Sequence, residues 1–483
     1  MTSIYSARWV LPIISPAIEY GAVAINGSRI VATGPRVEVV SRFPSARVSD
    51  FGQAAILPGL VNAHSHLELT VMRGFLESEE HDFAAWLRKL TTARMAMTAE
   101  DLLVSATCGA IEAARAGVTC FGDSSSAATH AMKALREVGL RGIVYQESFG
   151  PDPNLAEENV ARLREQIAEL RTIEDQLVRV GASPHAPYTV SAPQLELISR
   201  LSIDEKLPLM MHAAESQAEK SFMLEGLGRF AEGLKARGIE WQAPEVSTIE
   251  YLARHRILET KPLLAHCINV DDSDLELIKQ SGAGIAHCPK SNAKLGHGRA
   301  PFQKFLAHGI NVGLGSDSVA SNNTCDIFEE ARFATLLAHL DRVSSPTGEE
   351  GVGLVRGISP RVSKGVAGVY ALPDGRARAP VTSGDALFAA TLGGARALGL
   401  ENQIGALAEG RQADITAVSL NGAHQQPVRD PADALVFSSS GQDVLLTMVA
   451  GKEIYRNDRV SAIDEGELQS RLETIRIRLD SLA

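Results

Sequence analysis

No apolar stretch in this 483-residue chain approaches the ~18 residues that a membrane-spanning helix requires. The N-terminus has no signal-peptide pattern, because its apolar part, Trp9-Val-Leu-Pro-Ile-Ile-Ser-Pro, is short and broken by Pro12. No Cys-x-x-Cys pair occurs among the five scattered cysteines, Cys108, Cys120, Cys267, Cys288 and Cys325. Reduced thiols in a cytoplasmic protein are expected. The chain also lacks a long run of one charge sign; its net charge of −11 excludes the basic footprint of nucleic-acid binding and favours solubility. What is present is an apolar fraction of 45%, enough for a large core. At about 150 residues per domain, two or three units are expected, although α/β barrels exceed that size.

The two ends read as strands. Gly21-Ala-Val-Ala-Ile-Asn-Gly-Ser-Arg-Ile-Val carries a hairpin signal at Asn26-Gly27. Near the other end, Ala413-Asp-Ile-Thr-Ala-Val-Ser-Leu and Val444-Leu-Leu-Thr-Met-Val-Ala-Gly-Lys-Glu-Ile-Tyr are also strand-like. Neither set alone can bury a face. Residues 1–57 and 403–483 are therefore expected to pair into one small β-sandwich, with 58–402 as an insert. A charged helix from Glu465 to Leu482 reads as a solvated tail.

The insert alternates between helical and strand-like windows, and counting from Ile56 gives eight strands. That rhythm predicts an α/β fold, a (β/α)8 TIM-type barrel, with a doubly wound sheet as the alternative. Polar residues at the C-terminal ends of the strands favour the barrel, which puts its active site there. A helix over Asp385–Leu398 would close the ring. One connection, Glu219 to Leu263, is too long for an ordinary loop and reads as an insertion, serving either packing or a substrate lid.

Chemistry gathers at those strand ends. In Ile56-Leu-Pro-Gly-Leu-Val-Asn-Ala-His64-Ser-His66 two histidines are spaced i, i+2, which on a strand turns both to one face. Later strands end in His212, in His266 and in Asp317. Three imidazoles and one carboxylate suit Zn²⁺ or Fe²⁺, and a metal with an open position makes water nucleophilic near neutral pH. Glu215, three residues after His212, is in reach of such a water as acid and base. For any one of these histidines taken alone, a satisfied core residue is the competing reading.

The motifs Pro58-Gly-Leu-Val-Asn-Ala-His-Ser-His66, Ser183-Pro-His-Ala-Pro-Tyr-Thr189, His212-Ala-Ala-Glu215, Leu264-Ala-His-Cys267, His287-Cys-Pro-Lys-Ser-Asn292 and Gly313-Leu-Gly-Ser-Asp-Ser-Val-Ala-Ser-Asn322 span most of the chain. In that order they resemble the amidohydrolase superfamily, in its branch of mononuclear metal-dependent deaminases. The resemblance implies a barrel with a β-sandwich from both termini. It implies His64, His66, His212 and Asp317 as metal ligands and Glu215 as the proton shuttle. His266 would orient water and substrate, and Asp317 would also accept the water's proton. The absence of a lysine on the fourth strand supports one metal ion. His185 resembles a position that contacts a sugar hydroxyl, with a helix-start histidine as its alternative. Glu147 is a candidate for a ribose or a cationic group. Ser291-Asn292 and Tyr188 receive no role.

Asp82-Phe-Ala-Ala-Trp86-Leu-Arg, Ile249-Glu-Tyr-Leu252 and Gly296-His-Gly-Arg-Ala-Pro301 are similar to aminodeoxyfutalosine deaminases; S-adenosylhomocysteine and adenosine deaminases share the other motifs. All would remove the amine at C6 of an adenine-type ring. Trp86 would stack on the purine or sit in the core, and Glu68 is a further candidate for substrate contact. His66-Leu-Glu68 also looks like the His-x-Glu of cytidine-type deaminases, but their Pro-Cys-x-x-Cys partner is missing. Triazine or cyclic-amide hydrolysis is the alternative chemistry, and a non-catalytic barrel the alternative class. Expected partners are a small molecule and water, without nucleic acid or membrane; relatives of this kind also suggest a homodimer.

Overall fold

In a computed structural model, residues 2–340, 380–460 and 463–481 are described. Eight parallel strands carry the middle of the chain: β1 (Leu60–Ser65), β2 (Val118–Ser125), β3 (Arg141–Ser148), β4 (Val178–Pro184), β5 (Met210–Ala213), β6 (Leu263–His266), β7 (Gly284–His287) and β8 (Asn311–Leu314). They form two four-stranded sheets, β1–β4 and β5–β8, each in sequence order. Single parallel bridges join the two, Ala182 to Leu209 at one seam and Ser65 to Asp317 at the other. Every residue of β1, β2, β3, β5, β6 and β7 is buried, as strands covered on both faces must be.

Helices follow the strands. Those that bear on the site are α1 (Phe83–Met95), α2 (Ala99–Arg115), α3 (Gln217–Glu225), α4 (Arg229–Ala236), α5 (Thr248–Arg254), α6 (Pro289–Lys294) and α7 (Ile327–Leu340). α2 starts on a reciprocal cap: the Asp101 N–H donates to the Thr98 hydroxyl oxygen, and the Thr98 N–H donates to the Asp101 carboxylate. The expected helix Asp385–Leu398 forms as Ser383–Phe388 and Gly394–Ala397, joined by one π-helical turn, Ala389–Gly393. The long connection after β5 does carry its own helices, α3 to α5. No helix among the described residues is long and apolar enough to cross a membrane.

Both termini build one sheet, but it differs from the sandwich expected. Nine strands share a single hydrogen-bonded network, in which Ala54–Pro58 runs parallel to Thr2–Val10 on one side and antiparallel to Ile415–Ser419 on the other. Tyr5, Val23 and Ile30 from the N-terminal part share an apolar cluster with Ile415, Leu446 and Met448 from the C-terminal part. Neither end buries that face alone. The start of the first parallel strand, expected at Ile56, is corrected too: Ala54–Pro58 belongs to this terminal sheet, and β1 begins only at Leu60. Between them the Gly59 N–H donates to the Asp414 carbonyl, holding the junction to the terminal sheet. A buried pair locks the two units: Arg141 at the start of β3 donates from Nε and Nη2 to Asp414, at 2.8 and 3.1 Å.

The C-terminal helix α8 (Glu465–Asp480) is not a solvated tail. Ile475 and Leu479 are buried in a cluster with Leu69, Met72 and Trp86, and Arg478 pairs with Asp101. Two apolar side chains four residues apart give it a docking stripe, narrow but continuous with the core.

Candidate metal centre and active site

β1 delivers His64 fully buried, and His66 follows directly after the strand. Close approach of β8 needs Gly315, because a Cβ there would lie 2.9 Å from both N and Cβ of His64. The Asp317 N–H then donates to the His64 carbonyl at 2.9 Å, so residues at the ends of the first and last of the eight strands share one seam. Asp317 has φ +58 and His266 φ +73, left-handed conformations that non-glycine residues keep mostly where surrounding structure enforces them.

The donor atoms converge. His64 Nε2 is 3.3 Å and His66 Nε2 3.6 Å from Asp317 Oδ1, and His66 Nε2 is 3.2 Å from His212 Nε2. Ligand atoms of His64, His66 and Asp317 lie within 4.8 Å of one another, as do those of His64, His212 and His266. Neighbours orient the rings: His212 Nδ1 is 2.9 Å from the His185 carbonyl, which makes Nδ1 the donor and leaves Nε2 a free lone pair. His64 Nε2 is buried with no hydrogen-bond partner. Asp317 Oδ2 accepts from the Ser291 and Ser321 hydroxyls, at 2.6 and 3.1 Å, leaving Oδ1 to face the imidazoles. Orphaned imidazole nitrogens around one carboxylate oxygen are a donor set that fits a divalent cation.

Electrostatics agree with that fit. Burial pushes the His64 imidazole down to about 4 and holds His212 well below its usual value, so both rings are neutral as ligands must be. Burial alone would raise the Asp317 carboxyl, but the imidazoles packed beside it, His64 first, hold it well below the ordinary range. Glu215 is displaced upward by burial, partly offset by His266. Burial would lower His266, but Glu215 and Asp317 raise it above its usual value. Glu215 Oε1 is 3.7 Å from His266 Nε2.

Glu147, His185 and His212 form a third group within 4.8 Å. Glu147 Oε1 is 3.9 Å from His66 Nδ1, and burial raises its carboxyl to about 7. The His185 ring is 4.7 Å from Phe149 and 4.8 Å from His212. Trp86 lies in the apolar cluster under α1, and Phe83 stacks on it at 6.0 Å between it and His297. Glu68 does not face the cavity: it accepts from Ser125, Ser126, Ala127 and Arg94, which ties α1 to the end of β2. Its burial is compensated by those hydrogen bonds, which engage both carboxylate oxygens.

Sequence reasoning left four residues without roles that geometry brings to the site. Asn292 Oδ1 accepts from His266 Nδ1 at 2.9 Å, and Ser291 supports Asp317. Glu219 accepts from the Ala214 and Glu215 N–H groups, at 2.8 and 2.9 Å, shaping the turn after His212. His297 Nε2 is 3.6 Å from Glu215 Oε1. The motif His287-Cys-Pro-Lys-Ser-Asn292 marked the right segment, but hydrogen bonds across different strands have no spacing in sequence.

A sequence model described as the amidohydrolase family matches residues 55–354 and 361–454. The chain is 31% identical over 458 residues to a 5-methylthioadenosine/S-adenosylhomocysteine deaminase of Syntrophobacter fumaroxidans, covering 94% of this chain and 92% of the relative. A Pyrococcus abyssi protein of the same name is 30% identical over 445 residues, covering 92% and 91%. Among solved structures, a zinc-bound adenosine deaminase from Xanthomonas campestris superposes with TM-score 0.81 at 26% identity, covering 99% of this chain and 98% of that one. The atrazine chlorohydrolase of Arthrobacter aurescens, at 21% identity and TM-score 0.78 over 98% and 99% of the chains, shares the fold.

Proposed function

This chain belongs to the amidohydrolase family, and from that premise we propose that it is a metal-dependent hydrolytic deaminase of adenine-type nucleosides. The observation that carries the reading is a pair of overlapping donor groups that share His64, one with His66 and Asp317 and one with His212 and His266, with Glu215 3.7 Å from His266. His64, His66, His212 and Asp317 would hold one divalent metal, zinc before iron. When bound, the metal supplies the Lewis acidity that makes water nucleophilic near neutral pH. The Asp317 carboxylate accepts a proton from the attacking water, which His266 orients. Glu215 delivers a proton to N1 of the ring while water adds to C6; the proton held by Asp317 then passes to the exocyclic amine, the C6 hydroxyl proton returns to Glu215, and the tetrahedral carbon releases ammonia. Water is consumed, ammonia leaves, and the ring ends with a carbonyl at C6.

Glu147 and His185 are the residues we assign to the sugar. Phe149, 46% exposed, lies against His185, and Tyr188 stacks on Phe230 of α4 at 3.9 Å, which lines the outer site with aromatic rings. The likeness of the stretches around Trp86, Tyr251 and His297 to aminodeoxyfutalosine deaminases makes aminodeoxyfutalosine the first candidate substrate. The names of the Syntrophobacter and Pyrococcus relatives favour 5-methylthioadenosine or S-adenosylhomocysteine as the second. The same reading joins the two parallel sheets into one (β/α)8 barrel over 58–402, with 1–57 and 403–483 as the terminal unit. It also carries the cytoplasmic setting and the homodimer, the latter tested by light scattering of the purified protein.

The deciding experiment is a screen that reads ammonia release from aminodeoxyfutalosine, 5-methylthioadenosine, S-adenosylhomocysteine, adenosine and guanine, and chloride release from atrazine. Turnover of a 6-aminopurine nucleoside, with none of atrazine, is expected. Hydrolysis of atrazine alone overturns the assignment.

A further inference from the structure

Glu215 Oε1 lies between two imidazoles, His266 Nε2 at 3.7 Å and His297 Nε2 at 3.6 Å. Both nitrogens are buried and neither has a hydrogen-bond partner. His266 already has a part in the reaction proposed above; His297 has none. Its side chain is only 7% exposed although it comes from a loop. The backbone turns it inward between Gly296 and Gly298, whose φ values of +67 and +105 a residue with a side chain rarely adopts. The His297 N–H donates to the Asn292 carbonyl at 2.9 Å, and Asn292 Oδ1 accepts from His266 Nδ1 at the same distance. One residue of α6 thus pins both rings that flank Glu215. Phe83 closes the remaining side, edge to face at 4.6 Å.

A buried polar nitrogen without a partner is unfavourable. Such a group is retained where the partner arrives with the reaction. We propose that His297 is a positioning residue for Glu215, donating from Nε2 to Oε1 once substrate fills the pocket and leaving Oε2 aimed at the ring nitrogen. Separations of this length in a ligand-free site commonly shorten in the substrate complex. The two flanking rings have complementary roles. His266 donates from Nδ1 to Asn292 and so turns an accepting Nε2 to the carboxyl in its neutral form, whereas His297 donates. Burial holds His297 neutral, at about 4, so it orients the carboxyl without competing for its proton. The inference rests on the deaminase reading only in taking Glu215 as the proton carrier.

The test compares His297→Phe and His297→Gln in the full-length, metal-loaded enzyme, on whichever compound of the screen the wild type turns over fastest. His297→Phe is expected to lower kcat by about tenfold or more, the worth of a hydrogen bond to a charged group. KM and metal per chain stay near wild type. The alkaline limb of kcat/KM moves to higher pH, because a carboxylate that loses a donor holds its proton more tightly and Glu215 has to carry that proton to the ring. His297→Gln, which keeps an N–H of similar reach, restores most of kcat and returns the limb. Wild-type kcat in His297→Phe, or a loss that follows metal content and is not restored by Gln, overturns the proposal. Should His297→Phe not fold, His297→Asn, too short to reach Glu215, takes its place. If the wild type hydrolyses only a non-nucleoside, the deaminase reading fails while the positioning role is tested unchanged on that compound.

Discussion

His212 and Glu215 stand three residues apart, and their neighbours set them to different work. His212 has its Nδ1 committed to the His185 carbonyl, so its one free lone pair points at the other ligands. His212→Ala should therefore lower bound metal and rate together, each by about tenfold or more, read by elemental analysis and ammonia release. Unchanged stoichiometry would remove it from the ligand set. Glu215→Gln keeps the size and the hydrogen bonds of the backbone but cannot carry a proton. It should lose about 10²- to 10⁴-fold in kcat with metal content intact. His64 and His66 were singled out by their two-residue spacing, and the structure brings both to within 3.6 Å of Asp317 Oδ1. His297 and Asn292 were not singled out, since what qualifies them is proximity to Glu215 across β5 to β7. Glu68 looked available from its place after His66, yet serines of the β2 loop and Arg94 occupy its oxygens.

At the scale of elements, periodicity carried most of the reading. The alternation of helical windows and short apolar runs located all eight parallel strands, and the loop after β5 was recognised by its length alone. Errors fell where one element changes partners. The apolar run through Ile56 crosses from the terminal sheet into β1 without a break in hydrophobicity, so only hydrogen bonding separates the two. The C-terminal helix reads as charged because just two of its residues, Ile475 and Leu479, are buried. α7 offers a pH-dependent test remote from substrate. Its Glu330 accepts from Asn322 Nδ2 at 2.6 Å and from the Lys290 N–H at 3.2 Å, and burial raises its carboxyl from 4.5 to about 8. A carboxyl raised on folding adds stability that is complete below the unfolded value and is lost as pH climbs through the folded one. The melting-temperature deficit of Glu330→Gln should therefore shrink between pH 5 and pH 8.5. A deficit that is constant across that range contradicts the shift.

For the whole molecule, the terminal sheet is a unit that neither end of the chain can complete alone, and Arg141 joins it to β3 through a fully buried pair with Asp414. Removing one partner strands the other charge in the interior. Arg141→Met should cost about 3–5 kcal/mol in urea unfolding, and a loss under about 1 kcal/mol, the range of an exposed pair, would show that the junction is held elsewhere. The pairing of the two ends was legible from their shared shortage of strands; their merging into one nine-stranded sheet was not, because register across 350 residues leaves no local pattern. The proposed metal centre would likewise be a property of the whole chain, drawing on the ends of β1, β5 and β8 from both parallel sheets. Its most direct test is an anomalous-difference map from crystals of the purified protein, recorded at the edge of the bound metal. Expected is one peak about 2.0–2.2 Å from a nitrogen of each of His64, His66 and His212 and from an oxygen of Asp317. A peak held instead by Glu147, His185 and His212, or none in protein that releases ammonia, would contradict it.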